Sequence, residues 1–250
     1  MRSHARIVAE RCRGSTQFME LRSAPPITLR RTGRDEIAIV SSAAWPVGGD
    51  SFRLDIDVGQ GASLIITSVA ASLAHPSPGG DRSMFSVEAD VADGAELRWL
   101  PEPTVLVAGC LHATTSTIRL ATEATLWWRE EVRLGRWSEP TGSLSQRTSI
   151  ERAGRPMLRN EIDLGPAWPG SSSPAALDPR HVALGTAIQV GRVGAESAAH
   201  HDPELAWAAH PLGADATSWT VLSTRMATMR TTLATLMSVD RASEPGPVAH

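Results

Sequence analysis

The 250-residue sequence contains no lysine and no tyrosine, and it has only two cysteines. The absent residue types exclude a Schiff-base lysine and a tyrosine acid from the possible catalysts. Cys12 and Cys110 are too few for a disulfide framework or a CxxC metal site. The formal net charge of −3 provides no strong positive field for nucleic acid or for a membrane surface. These absences leave soluble enzymes, binding modules and scaffold proteins as candidate classes.

Long apolar runs are also missing. No stretch reaches the roughly 18 consecutive apolar residues that a membrane-spanning helix needs. Residues 1–13 contain scattered arginines and no apolar segment of the kind found in signal peptides. We therefore expect a cytoplasmic protein with reduced thiols and no membrane partner.

Strict alternation of apolar and polar residues dominates the first two thirds of the chain. It runs through residues 52–58, 87–91 and 128–134. A period of two predicts strands that are half buried and keep one polar face. Glu130 is an exception, because it occupies an apolar position of the third segment.

A weak internal repeat spans three of these segments, Ile56–Leu64, Ala89–Leu97 and Ile118–Leu126. The copies recur about every 30 residues, which is typical of stacked repeat architectures. Each copy predicts a strand, a tight turn and a second strand. A glycine at the turn of the first two copies fits a positive φ, whereas Glu123 at that position requires a different turn in the third.

The C-terminal third has a different character. Residues 181–190 and 218–223 favour strands, whereas residues 204–210 favour a short helix and residues 225–238 a longer one. The longer helix continues an apolar stripe with a helical period. The stripe consists of Trp219, Leu222, Met226, Met229, Leu233 and Leu236.

These patterns predict a mostly β protein with one or two C-terminal α-helices. We expect stacked β-hairpins, arranged either as a β-helix-like scaffold or as a large sandwich. Residues 1–240 are expected to form a single domain, and residues 241–250, rich in proline and polar residues, a flexible tail.

The sequence His200-His201-Asp202 is the one cluster of metal-ligand type. Imidazole nitrogen and carboxylate oxygen suit Ni²⁺ or Zn²⁺. A metal-dependent hydrolase that uses these three residues on a β scaffold is therefore one hypothesis. The alternative is a solvated loop, because adjacent histidines rarely converge on one ion and nothing in the sequence fixes their orientation.

Glu130 and Glu161 lie on predicted strands, where a buried carboxylate is costly unless it is paired or used. Each has two interpretations. The first is an ion pair with an arginine such as Arg136 or Arg147. The second is a polar wall along which a metal ion passes with weak or transient contacts.

Several stretches, in order along residues 4–238, resemble the UreD family of urease accessory proteins, called UreH in some organisms. They are Val47–Asp50 with Leu54–Val58, Gly61–Thr67, Leu97–Val105, Glu130–Arg136, and Gly154–Leu158 with Glu161. The segment Leu97–Val105, similar to a leucine-x-tryptophan-leucine-proline motif, is the most specific. Two segments depart from the family pattern: Ala44–Pro46 replaces a glycine pair, and Val69–His75 lacks a lysine and an aromatic residue.

The resemblance implies a non-enzymatic urease maturation factor with a β-helix-like fold and a pair of C-terminal helices. It implies that UreF-like and UreG-like proteins join the chain on apo-urease and that the complex assists nickel insertion. Ni²⁺ would then be a transient cargo, with no tightly bound cofactor. The C-terminal apolar stripe is a candidate contact for the UreF-like partner; the alternative is that it packs on its own sheet.

Overall fold

A computed structural model describes residues 1–168, 180–192 and 194–238 and is mostly β. The first nine strands are β1 (Arg2–Cys12), β2 (Ser15–Arg22), β3 (Ile27–Arg31), β4 (Glu36–Ser41), β5 (Ser51–Val58), β6 (Ser63–Ser68), β7 (Ser72–Ala74), β8 (Arg82–Val91) and β9 (Glu96–Leu100). The remaining elements are β10 (Thr104–Leu106), β11 (Leu111–Leu120), β12 (Thr125–Leu134), β13 (Ser143–Arg152), β14 (Arg155–Leu164), β15 (Ala183–Val190), β16 (Ala198–His201), β17 (Leu205–Gly213), β18 (Ala216–Ser223) and α1 (Met226–Ser238).

The strands form two sheets that face each other. The first sheet has seven strands in the order β14-β13-β11-β8-β5-β1-β2. The second has eleven, with the path β16-β17-β18-β15-β12-β9-β6-β4-β3; outside this path the short strand β10 pairs with β12, and β7 pairs with β10. The chain passes between the sheets at each tight turn, so the repeats stack as solenoid coils. The predicted mostly β, β-helix-like class is confirmed.

Each repeat copy contributes one strand to each sheet. In the first copy β5 pairs with β1 and β8, whereas β6 pairs with β4 and β9. The repeat unit is therefore a coil and not a hairpin, because its strands pair with equivalent strands of neighbouring copies. The first two turns have Gly61 and Gly94 at φ +66° and +65°, as the sequence predicts, and Glu123 is not among the positive-φ residues of the described chain.

Stacking in register aligns equivalent apolar residues across the first sheet. Ile7, Ile56, Ala89, Ile118 and Ile150 occupy one row. All five are at most 1% exposed and belong to the core between the sheets. Burial of such rows supplies the main stabilising term of the solenoid.

An aromatic row lies in the same core. Trp45 contacts Phe52 and Phe85 edge to face, with ring centroids 5.3 and 5.2 Å apart. Phe85 lies beside Trp99, and the ring of Trp99 stacks on Trp128 with centroids 4.9 Å apart. Such pairs add stability beyond the area that they bury.

The helix α1 covers the outer face of the second sheet. Met229, Leu233 and Met237 face Trp219 and a row of small residues that includes Gly185. The part of the apolar stripe on α1 is thus packed on its own sheet, the second of the two alternatives for it, whereas Leu222 of β18 packs in a different cluster. No helix in the described ranges has the length and apolarity of a membrane span.

The secondary structure predicted for the C-terminal third is largely confirmed, with one correction. The prediction of a helix over residues 204–210 is wrong, because β17 begins at Leu205 and pairs with β18. The alanines of this segment favour helix, but pairing with a buried neighbouring strand outweighs the local preference. The predicted tail at 241–250 lies outside the described residues.

Candidate functional site

Glu130 lies on the inner face of β12, in a cluster of buried neutral donors. Gln146 donates its Nε2–H to Glu130 Oε2 at 2.7 Å. The hydroxyls of Ser116 and Thr148 donate to the same carboxylate, each at 3.3 Å. Gln146 also donates to Thr186 Oγ1 at 3.3 Å. The interior of the solenoid therefore carries a polar seam, which we define as Ser116, Glu130, Gln146, Thr148 and Thr186.

No arginine is paired with Glu130 in the described part of the chain, so an ion pair with Arg136 or Arg147 is not its environment. Burial raises the pKa of Glu130, and the hydrogen bonds from the seam oppose that rise only in part. Glu130 keeps some accessible surface because it lines a cavity. When Glu130 is ionised, no arginine of the described residues neutralises its charge.

Two cavities lie on either side of the seam. The first, about 170 Å³, is lined by three aromatic residues of the core and by four polar residues: Trp45, Phe85, Trp99, His112, Thr114, Glu130 and Gln146. The second, about 270 Å³, is lined by Thr148, Asn160, Thr186, His210, Ser218 and Thr220 among others. Hydrogen bonds connect the seam across both cavities, because Glu130 and Gln146 line the first and bond to Thr148 and Thr186, which line the second. Each cavity also has a histidine in its lining, His112 in the first and His210 in the second.

His112 is a buried histidine on the wall of the first cavity. Its Nδ1 lies 2.9 Å from Ser83 Oγ. Burial lowers the pKa of His112 to about 4, so the imidazole is neutral at pH 7. A neutral imidazole is the form that can ligate a metal ion.

This lowered pKa predicts an acid-sensitive fold. Because the unfolded chain binds a proton at His112 near pH 6.5 and the folded chain only near pH 4, stability is full above the first value and falls as the pH is lowered toward the second. In urea unfolding, His112→Gln should show a flatter loss of stability than the wild type between these pH values. Parallel curves for the two proteins would contradict the assignment.

The second predicted carboxylate, Glu161, has a different environment. It lies on the exposed face of β14 and forms an ion pair with Arg147 of β13. It lines neither cavity. The first interpretation, an ion pair with an arginine, therefore describes Glu161, while Glu130 retains the second.

The predicted cluster His200-His201-Asp202 lies on the exposed edge strand β16 and the turn after it. Successive side chains of a strand point to opposite faces, so the two imidazoles diverge. His200 lies on the ring of Trp207 and 2.8 Å from the carboxylate of Asp202. That contact, with two backbone N–H groups of the turn, lowers the pKa of Asp202 to about 2. Within the described ranges, no three His, Cys, Asp or Glu side chains are grouped to hold a metal ion.

Several polar residues of this region are not predicted by the sequence patterns. Glu102 and Glu131 line the outer part of the first cavity, and both contact Arg230 of α1. Glu131 alternates with the apolar residues of β12, a spacing that predicts a solvent face. The apolar stripe on α1 is the one sequence feature which indicates that the outer face of the second sheet is also apolar and is covered by the helix. The partners of Glu130 give no signal, because they come from other coils.

The arrangement defines a class of protein: a β-solenoid scaffold with a polar seam through its interior. Comparison with known proteins gives the family. The sequence matches a family model described as UreD urease accessory protein over residues 1–246. It is 38% identical over 216 residues to the urease accessory protein UreD of Frankia alni, an alignment that covers 71% of this chain and 72% of the relative.

Two further relatives have the same description. The UreD protein of a Parafrankia strain is 40% identical over 188 residues, which are 66% of this chain and 63% of the relative. The UreD 3 protein of Streptomyces griseus is 37% identical over 193 residues, covering 74% of this chain and 75% of the relative. The chain belongs to the UreD family of urease accessory proteins. It is a urease maturation factor and not an enzyme, which removes the hydrolase hypothesis for His200, His201 and Asp202.

Proposed function

We propose that this chain assists the insertion of Ni²⁺ into apo-urease, as one member of a complex with UreF-like and UreG-like proteins, and that the ion passes along the polar seam. Family membership supports the maturation role. The single observation that carries the path is Glu130, an enclosed carboxylate without a cationic partner among the described residues, between two cavities.

The chemistry of Ni²⁺ explains why a guided path is useful. Ni²⁺ stands high in the affinity order of divalent metals and binds many nitrogen and sulfur donors. A free ion would be captured elsewhere in the cell. A path must also bind weakly enough to release the ion onward. A seam with one carboxylate, neutral hydroxyls and an amide fits this requirement, because it attracts a cation without surrounding it with strong ligands.

The seam residues have graded roles in this proposal. In its ionised form Glu130 supplies the negative charge, and Gln146 fixes its orientation through the 2.7 Å hydrogen bond. Thr148 and Thr186 offer hydroxyl oxygens on the side of the second cavity. His112 offers a neutral imidazole on the side of the first. The assignment of His200, His201, Asp202 and Glu161 as weak or transient nickel contacts stays a prediction, and the cytoplasmic location does too.

Replacing the charge of Glu130 tests the proposal. Urease subunits and accessory proteins are co-expressed with nickel, and urease activity and the nickel content of purified urease are measured. Glu130→Gln should lower both by at least about tenfold, the size of the effect when a supporting residue of a metal site is replaced. The matched variant Glu123→Gln, which removes a carboxylate from an exposed turn outside the candidate contacts, should stay within about twofold.

The stability of the same variant separates a path from a structural role. Because burial opposes ionisation of Glu130, the neutral amide should leave the protein at least as stable at pH 7. Activation lost with thermal stability retained supports the path. Full activation by Glu130→Gln would remove the seam from the mechanism, and urease activation that is independent of this chain would remove the maturation role itself.

A further inference from the structure

The most specific sequence motif, Leu97–Val105, produces a break in the second sheet. Its two prolines, Pro101 and Pro103, cannot donate to a β-ladder. β9 accordingly ends at Leu100 and pairs with β12 only up to Trp128. β10 resumes the pairing at Val132. The sheet has an opening at residues 129–131 of β12, on the outer side of the first cavity.

Two carboxylates stand at this opening. Glu102 lies between the two prolines, and Glu131 lies in the part of β12 that neither β9 nor β10 pairs with. Both line the first cavity, whose inner wall includes Glu130. The side chain of Glu131 is 1% exposed, whereas that of Glu102 is 37% exposed. Glu102 therefore lies at the solvent end of the opening and Glu131 at its interior end. We call this pair of carboxylates the cavity mouth.

An arginine of the C-terminal helix bridges the mouth. Arg230 Nη2 lies 3.0 Å from Glu102 Oε1, and Arg230 Nε lies 2.9 Å from Glu131 Oε2. Arg129 Nε lies 3.2 Å from the other oxygen of Glu131. Two positive and two negative charges balance there. Without Arg230 the mouth would carry one net negative charge.

The position of Arg230 depends on how α1 is seated. Its neighbour Met229 is fully buried against the sheet, and Leu233 is buried one turn later. These contacts hold the guanidinium over the opening. A shift of the helix would move the guanidinium away from both carboxylates.

We propose that Arg230 is a built-in counter-ion that closes the cavity mouth, so that a divalent cation and a seated α1 compete for Glu102 and Glu131. Carboxylate oxygens accept divalent ions and guanidinium alike. Competition is reciprocal: if the seated helix weakens cation binding by a given factor, the cation weakens the seating of the helix by the same factor. The identity of the ion as nickel rests on the proposed function, but the competition does not.

Cation binding to the isolated full-length protein tests the closure. Ni²⁺ binding is measured by calorimetry at pH 7 for the wild type, Arg230→Gln and Arg225→Gln. Arg225 immediately precedes the same helix and is exposed, so its variant is matched in charge and position. Arg230→Gln should bind about tenfold more tightly, within the usual range for coupled sites, and Arg225→Gln should equal the wild type.

Two further variants test whether the charge of Arg230 acts through Glu131. Arg230→Gln with Glu131→Gln should return to wild-type binding, because the carboxylate that Arg230 neutralises is removed together with it. Binding of Ni²⁺ to surface histidines contributes equally in all variants. Arg230→Lys retains the positive charge and should bind close to wild-type strength. Equal binding by Arg230→Gln and Arg225→Gln would overturn the proposal.

The reciprocal effect is measured on the helix. Saturating Ni²⁺ should speed amide exchange in residues 226–237 of the wild type several-fold, and Glu131→Gln should abolish that response. Unchanged exchange at saturation would overturn the coupling. Both readouts use the isolated chain, so a failed nickel path through Glu130 would leave their outcome unaffected.

Discussion

Replacement of Trp128 by alanine is expected to lower the free energy of unfolding by about 4 kcal/mol, the range of buried Trp→Ala changes. Trp128 is 1% exposed and stacks on Trp99 with centroids 4.9 Å apart and ring planes 11° from parallel. Its removal takes one member from the aromatic row that fills the space between the sheets. Urea unfolding at pH 7 measures the loss.

The same substitution at Trp137 is the matched control. Trp137 is 88% exposed on the loop between β12 and β13, so Trp137→Ala should change the free energy by less than about 0.5 kcal/mol. The two variants have the same composition and differ only in the environment of the lost ring. Similar losses would show that the aromatic row does not carry the core.

Alternation of apolar and polar residues predicts the strands of the solenoid well where one face of the strand is buried and the other is exposed to solvent. Residues 51–58 show this, because β5 buries Phe52, Leu54, Ile56 and Val58 and leaves the charged residues between them more exposed. The positive φ predicted for the turn glycines is also confirmed at Gly61 and Gly94. Both signals are local, and the fold repeats the same local unit. The sequence therefore contains enough information for the class of fold.

The candidate site is less predictable, because its members come from different coils. Alternation marks Glu130 as unusual, but its donors Ser116, Gln146 and Thr148 lie on β11 and β13. Which coil meets which depends on loop lengths that a periodic pattern does not contain. Whether Glu130 has an arginine partner or neutral donors is therefore decided by the tertiary structure and not by the local sequence.

The mouth shows a second limit. Glu131 has the spacing of a solvent-facing residue, yet α1 from the far end of the chain buries it. Its pKa is raised by burial, while Arg129 and Arg230 oppose that rise. Pairing and burial of this kind follow from a tertiary contact with α1, which the local sequence of β12 cannot predict.

Seam and mouth together give the scaffold two separable properties. The coils hold the seam, because four of its residues are paired with neighbouring strands on both sides, and Glu130 is paired with Thr186 of β15 on one side. The mouth depends on one helix that is held by a few side chains. Variants in the seam should therefore affect passage, whereas variants under α1 should affect the seating of the helix first.

Replacement of Gly185 by valine is expected to unseat α1 and to cost about 3 kcal/mol, the upper part of the range for overpacked cores. A Cβ at this position would lie 2.4 Å from Met229 Sδ and 3.0 Å from Leu233 Cδ2. Both side chains are fully buried, so neither can turn into solvent without exposing apolar surface. Urea unfolding gives the loss, and amide exchange in residues 226–237 gives its location.

Two comparisons make this expectation specific. Gly79→Val changes an exposed loop in which the nearest atom to a new Cβ is a carboxylate oxygen of Asp81 at 3.0 Å, and it should cost little. Met229→Ala makes room beside Gly185, so the double variant should lose less than the sum of the two single losses. Additive losses would mean that the clash is relieved elsewhere. Unchanged exchange in α1 would mean that the helix does not depend on close approach at Gly185, and the coupling between its seating and the cavity mouth would then lack its structural basis.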